Sequence, residues 1–157
     1  MVQATPFLLV LFLALGAHGV SVKKVHAELF PLQCILTGTW ANDLGSNMTI
    51  GTVKANGDFT GTYNTSVSAT REKIKESPLL GSQHLPNMLK GQPTFGFTVH
   101  WNFSDSIAVF TGQCFVDDDG NEVLKTMWLL RTRADNLKND WKATWVGYNT
   151  FTRLKEQ

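Results

Sequence analysis

Thr94-Phe95-Gly96-Phe97-Thr98-Val99-His100-Trp101-Asn102-Phe103 is the stretch that decides the fold. Side chains alternate between the two faces of a β-strand. Phe95, Phe97, Val99, Trp101 and Phe103 therefore share one face, and Thr94, Thr98, His100 and Asn102 share the other. One apolar and one polar face is the pattern of a strand that covers a core with one side only.

Similar β-branched and aromatic runs recur on both sides of it, each ended by turn residues. Before the deciding stretch lie Ile35 to Ala41, Asn47 to Lys54, Phe59 to Val67 and a weaker run within Ser77 to Leu85. After it lie Ile107 to Val116, Glu122 to Arg133 and Ala143 to Arg153. Asn56-Gly57 is a hairpin signal, and Gly120 turns the chain after Asp117-Asp118-Asp119. No stretch after residue 34 keeps a helical period. The reading is all-β: eight antiparallel strands in an up-and-down meander, closed into a barrel so that no edge stays open. An eight-stranded barrel is filled by side chains or holds one small ligand.

Parity separates these possibilities. Phe59, Gly61, Tyr63, Thr65 and Val67 share the inward face of the third run. Ser106, Ala108, Phe110 and Gly112 do so in the sixth, and Gly147, Asn149 and Phe151 in the eighth. Tyr63, Thr65, Ser106 and Asn149 thus sit among aromatics. A buried polar group without a partner costs about 1–3 kcal/mol. Either these groups satisfy one another in a packed core, or they converge on a ligand. The glycines and Ala108 are expected to leave it room. An apolar cavity with a few convergent polar groups is how small-molecule sites are built. On the outer face, Met127 and Leu129 point away from Trp128 and Leu130, and Val146 and Tyr148 away from Asn149. This apolar exterior suggests a subunit interface.

The totals agree with one small domain. The chain has 157 residues, 43% hydrophobic and 17% charged, with five Trp and ten Phe to bury. A net charge of +1 gives no reason to expect nucleic acid or an anionic membrane as partner. Phe7 to Gly16 is an apolar run too short to span a bilayer; Ala17 and Gly19 follow it as a −3/−1 pair. Residues 1–21 therefore read as a secretory signal peptide, 22–33 as an N-terminal extension, 34–154 as the barrel and 155–157 as a tail. Secretion exposes Cys34 and Cys114 to an oxidising route, where one intrachain disulfide would contribute about 4 kcal/mol. Two free thiols would belong to a reducing compartment. Asn47, Asn64 and Asn102 each open an Asn-x-Ser/Thr sequon, as expected of a secreted glycoprotein.

Catalytic patterns are missing. His26, His84 and His100 are too scattered for metal ligands, and the Asp117–Asp119 run lacks the alternation of a calcium loop. No nucleophile elbow or phosphate loop occurs, nor an inward pair of carboxylates for glycoside hydrolysis. A secreted hydrolase finds no support. No metal and no cofactor are expected.

Several long segments resemble the avidin family. They are Leu36-Thr37-Gly38-Thr39-Trp40-Ala41-Asn42-Asp43-Leu44-Gly45-Ser46-Asn47, Phe59-Thr60-Gly61-Thr62-Tyr63, Thr94 to Val99, Leu124-Lys125-Thr126-Met127-Trp128-Leu129-Leu130, and Asp140-Trp141-Lys142-Ala143-Thr144. The similarity runs from Cys34 to Arg153. It implies a non-catalytic, high-affinity biotin binder. Asn42, Ser46 and Tyr63 would donate to the ureido oxygen, and Thr65 and Asn149 would accept from the ureido N–H groups. Ser104, Ser106, Ser68 and the backbone N–H groups of Ala69 and Thr70 would hold the valeryl carboxylate. Leu44, Val67, Trp101, Phe103, Phe110, Trp128 and Leu130 would form the apolar walls. Trp141 would cap the ligand of a neighbouring subunit in a homotetramer, with Met127, Val146 and Tyr148 at another interface. Ala108 departs from the family pattern, standing where a Thr usually contacts the biotin sulfur; Ser68 stands in place of Thr, one extra residue precedes Gln92, and Trp145 replaces a basic residue. The alternative is a lipocalin-like carrier of another small apolar ligand.

Overall fold

The structure is a computed structural model, and it describes residues 33–68, 70–85 and 91–155. The leader at 1–21, most of the extension at 22–33, Ala69, the stretch just before Gln92 and the last two residues of the tail lie outside the described residues.

Eight antiparallel strands follow one another around a closed barrel: β1 (Gly38–Asn42), β2 (Asn47–Ile50), β3 (Asp58–Asn64), β4 (Ser77–Gln83), β5 (Thr94–His100), β6 (Ser106–Val116), β7 (Glu122–Thr132) and β8 (Thr144–Arg153). Each strand pairs with its sequence neighbours, and β1 pairs with β8 to close the ring, with Asn42 opposite Phe151 and Trp40 opposite Arg153. The expected all-β barrel is therefore the observed one. The Arg153 guanidinium reinforces the seam. It lies 4.3 Å over the Trp40 ring, donates to the Thr37 carbonyl at 2.9 Å and pairs with Glu122.

Strand ends differ from the expected ones where side chains take over from the ladder. β3 stops at Asn64 rather than Val67, because the Thr65 hydroxyl donates to the Val67 carbonyl at 2.8 Å and curls the chain into a local turn. β2 stops at Ile50 rather than Lys54. β5 stops at His100 rather than Phe103, and residues 101–105 form the turn into β6. A six-residue 3-10 helix, Leu137–Lys142, was not expected from the sequence.

One end of the barrel is packed solid. Trp40, Ile50, Phe59, Leu79, Phe95, Phe97, Leu124 and Phe151 fill it, and Phe97 stacks on Phe110 with centroids 4.6 Å apart. The disulfide joins Cys34 to Cys114 with Cα atoms 5.7 Å apart, fastening the N-terminal segment onto β6. Packing this end directs the remaining inward residues of β5–β8 towards the other, which is open.

Candidate functional site

The open end holds a cavity of about 300 Å³, at the lower end of the usual range for small-molecule pockets. Asn42, Leu44, Ser46, Tyr63, Thr65, Val67, Ser68, Thr70, Trp101, Phe103, Ser104, Ser106, Phe110, Trp128, Leu130 and Asn149 line it. Of the expected site residues, two are not among them: Ala69, which lies outside the described residues, and Trp141. Trp141 sits on the 3-10 helix, 83% exposed. Asp105, Ala108, Thr132 and Arg133 also line the cavity. The sequence signal for Asp105, Thr132 and Arg133 was their position beside Ser104, Ser106 and Leu130 on adjoining strand ends.

One expectation about space is corrected. Gly61, Gly112 and Gly147 do not line the cavity. A Cβ at Gly61 would meet the Thr49 carbonyl, one at Gly112 the Lys125 carbonyl, and one at Gly147 the Trp128 ring. These glycines make room for a neighbouring strand or for Trp128; of the small inward residues, Ala108 alone borders the cavity.

The polar floor is set by the turn after β1. Gly45 adopts a positive φ of 83°, open to glycine at little cost, and the turn it makes brings two backbone N–H groups onto Asn42. Asn42 Oδ1 accepts from Leu44 N at 3.0 Å and Ser46 N at 2.8 Å. With its oxygen occupied, the Asn42 amide presents Nδ2, 3.3 Å from the Tyr63 hydroxyl. Burial pushes the Tyr63 phenol far up, against the weaker pull of hydrogen bonds from Ser46 and Asn42, so Tyr63 stays a protonated donor. Ser46 Oγ accepts from Ser66 N at 3.0 Å and lies 3.2 Å from Ser66 Oγ, whose own proton goes to the Leu44 carbonyl at 2.6 Å, so the Ser46 hydroxyl is a donor shared between Ser66 and the cavity. Three donors, from Asn42, Ser46 and Tyr63, meet here.

Two acceptors stand nearby. The Thr65 proton is committed to the Val67 carbonyl, so its oxygen offers a lone pair. Asn149 Nδ2 donates to Asp43 Oδ1 at 2.9 Å. An ionised carboxylate can only accept, so Asp43 fixes the amide with Nδ2 towards itself and Oδ1 free. That bond is the main cause of the lowered Asp43 pKa, which keeps it ionised. Sequence reading missed this role for Asp43, which lies 106 positions from Asn149 and meets it only once β1 and β8 close the ring.

The walls are apolar. Trp101 meets the Tyr63 ring edge-on at 5.5 Å, Phe110 stacks on Tyr63 at 5.6 Å, and Trp101 lies against Phe103 at 5.8 Å. The buried Trp101 indole N–H has no hydrogen-bond partner. At the far side, Ser104 and Ser106 place their hydroxyl oxygens 2.5 Å apart.

No pair of carboxylates faces the cavity, and no group of His, Cys, Asp or Glu among the described residues could hold a metal. The Asp117 carboxylate serves its own turn instead, accepting from Asp119 N at 3.0 Å and Asn121 N at 2.7 Å.

A closed eight-stranded barrel with one aromatic-walled cavity and an ordered set of donors and acceptors defines a small-molecule binding protein. Relatives narrow that class. The avidin family model matches residues 30–154. Avidin from Gallus gallus is 58% identical over 160 residues, covering 100% of this chain and 99% of avidin. Avidin-related protein 7 from the same species is 57% identical, covering 99% of this chain and 97% of its own length. The X-ray structure of a biotin binding protein from chicken superposes with a TM-score of 0.75 at 53% identity, covering 78% of this chain and 99% of that one. Xenavidin superposes with a TM-score of 0.73 at 56% identity, with the same coverage. The chain belongs to the avidin family.

Proposed function

We propose that this chain is a non-catalytic biotin-binding protein, secreted, holding one biotin per barrel and withholding it from solution. The polarity of the cavity carries the reading: three hydrogen-bond donors beside two acceptors, each oriented by bonds to the protein. Biotin's cyclic urea presents one oxygen with acceptor lone pairs and two N–H donors. Asn42, Ser46 and Tyr63 complement the oxygen; Thr65 and Asn149 complement the N–H groups. Pre-oriented groups cost no reorganisation on binding, which is where affinity is gained. The thioether ring then lies among Trp101, Phe103, Phe110, Trp128, Leu44, Leu130 and Val67. The valeryl carboxylate reaches Ser104, Ser106, Ser68 and the backbone at Ala69 and Thr70. A purely apolar ligand would leave the cavity-facing hydrogen-bonding capacity of Asn42, Ser46, Tyr63, Thr65 and Asn149 unused, whereas the cyclic urea engages it.

Assembly is part of the same proposal. Leu80, Val109, Met127, Leu129, Val146 and Tyr148 are exposed on the outer faces of β4 and β6–β8. A monomer seldom shows so many neighbouring apolar groups. A homotetramer covers them, and the exposed Trp141 then closes a neighbour's cavity. The leader at 1–21 is removed on secretion. Asn47, Asn64 and Asn102 are all exposed, as glycan acceptors must be. Asn47 and Asn64 stand directly opposite each other on β2 and β3. The Asn102 amide is already engaged by the Glu76 carbonyl at 2.9 Å.

Biotin titration followed by tryptophan fluorescence tests the reading, since Trp101 and Trp128 wall the cavity. Saturable quenching at about one ligand per chain is expected. Unquenched emission at micromolar protein and excess biotin refutes it.

A further inference from the structure

We propose that Arg133 makes the cavity selective for a ligand with a free carboxylate over the same ligand as a neutral amide; this rests on the biotin reading above. Asp105 and Arg133 are the charged residues among those lining the cavity. Together with Ser104, Ser106 and Thr132 they also line the open groove outside it, so they stand at its mouth. Their placement is fixed by the backbone. Ser106 pairs with Thr132 across β6 and β7, and Arg133 N donates to the Asp105 carbonyl at 3.0 Å. Arg133 Nη1 lies 3.1 Å from Asp105 Oδ2, with the two side chains 72% and 75% exposed.

An ion pair so exposed holds its partners weakly. The guanidinium carries five N–H donors, and the bond to Asp105 occupies one. An entering anion can therefore share it without displacing Asp105. The hydroxyls of Ser104 and Ser106 discriminate less, because a hydroxyl both donates and accepts and suits an acid or an amide. Arg133 only donates, and its hydrogen bonds to anions are the stronger kind. Asp105 acts in the opposite sense: it draws on the same cation and repels a second carboxylate. Arg133 thus reads the charge at the end of the ligand, and Asp105 limits how strongly.

Release rates of biotin and of its neutral primary amide, measured side by side, test this. The ratio of amide to acid release rate should fall about two- to five-fold in Arg133→Gln, the range of an exposed ion pair. It should rise in Asp105→Asn. In the wild-type protein it should shrink as salt is raised from about 0.01 M to 1 M, where screening shortens the reach of charge. A ratio unchanged by both substitutions and by salt overturns the inference while leaving the biotin reading intact. If the wild-type protein binds neither compound, the biotin reading itself falls.

Discussion

Asp43→Asn should weaken biotin binding through Asn149 alone. In the wild-type protein the Asp43 carboxylate accepts from Asn149 Nδ2 at 2.9 Å and from Thr150 N at 3.3 Å. An Asn at position 43 can donate as well as accept, so it no longer dictates which way the Asn149 amide faces. A hydrogen bond to a charged group contributes about 1.5–3 kcal/mol net. Asp43 is exposed, so about 1 kcal/mol is the reasonable share, which is roughly a fivefold faster release. Asn149→Ala removes the acceptor itself at a buried position and strands a ligand N–H, at about 1–3 kcal/mol. The assay is the off-rate of labelled biotin in the two single variants and the double variant. If Asp43 works by orienting Asn149, it has nothing left to orient once Asn149 is gone, and the double variant should release biotin no faster than Asn149→Ala. Additive losses would refute the argument, because groups that act as one unit must couple. A pH dependence follows with a defined sign. The Asp43 pKa is lowered, so its contribution is complete above the ordinary carboxylate value of 3.8 and is lost as pH falls through the depressed value. Asp43→Asn should lack that acid-dependent component.

Three other perturbations probe other parts of the account. Gly147→Ala places a methyl group against the Trp128 ring and must displace it, so stability or affinity should drop by about 1–3 kcal/mol, read from melting and biotin release; an unchanged protein would mean that Trp128 has room to spare. Ala108→Thr adds a hydroxyl at the cavity wall, and release should slow about two- to twelve-fold, the worth of one hydrogen bond; faster release would show the wall to be overfilled. Trp141→Lys should accelerate biotin release and loosen the assembly in native mass measurements, because in the proposed tetramer this exposed indole closes a neighbour's cavity. Unaltered release would contradict shared closure.

Much of this architecture is legible in the chain because its physics is local. The alternation from Phe95 to Val99 survives as alternating burial along β5. The same parity carries Ser106, Ala108 and Phe110 into the cavity, and Trp101 and Phe103 with them although the strand ends at His100. What stayed hidden depends on closure or leaves no periodic trace. Asp43 and Asn149 become neighbours through the β1–β8 seam, which no short window contains. The 3-10 helix at Leu137–Lys142 buries no side chain, so it imprints no apolar pattern. Glycine was misread for a related reason. An absent side chain looks like free space in a sequence, but at positions 61, 112 and 147 the neighbouring strand or Trp128 fills it. Asp105, between two runs, and Arg133, the last residue of the seventh, look like ordinary solvated charges until the strand ends bring them to the mouth together.

Calorimetric titration with biotin, beside the analogue in which the urea carbonyl is replaced by two free amines, addresses the floor of the cavity most directly. One exothermic biotin site per chain is expected, with a large loss of affinity for the analogue, which offers no oxygen to Asn42, Ser46 and Tyr63. Equal heats and affinities for the two compounds, or no heat from biotin at all, would contradict it.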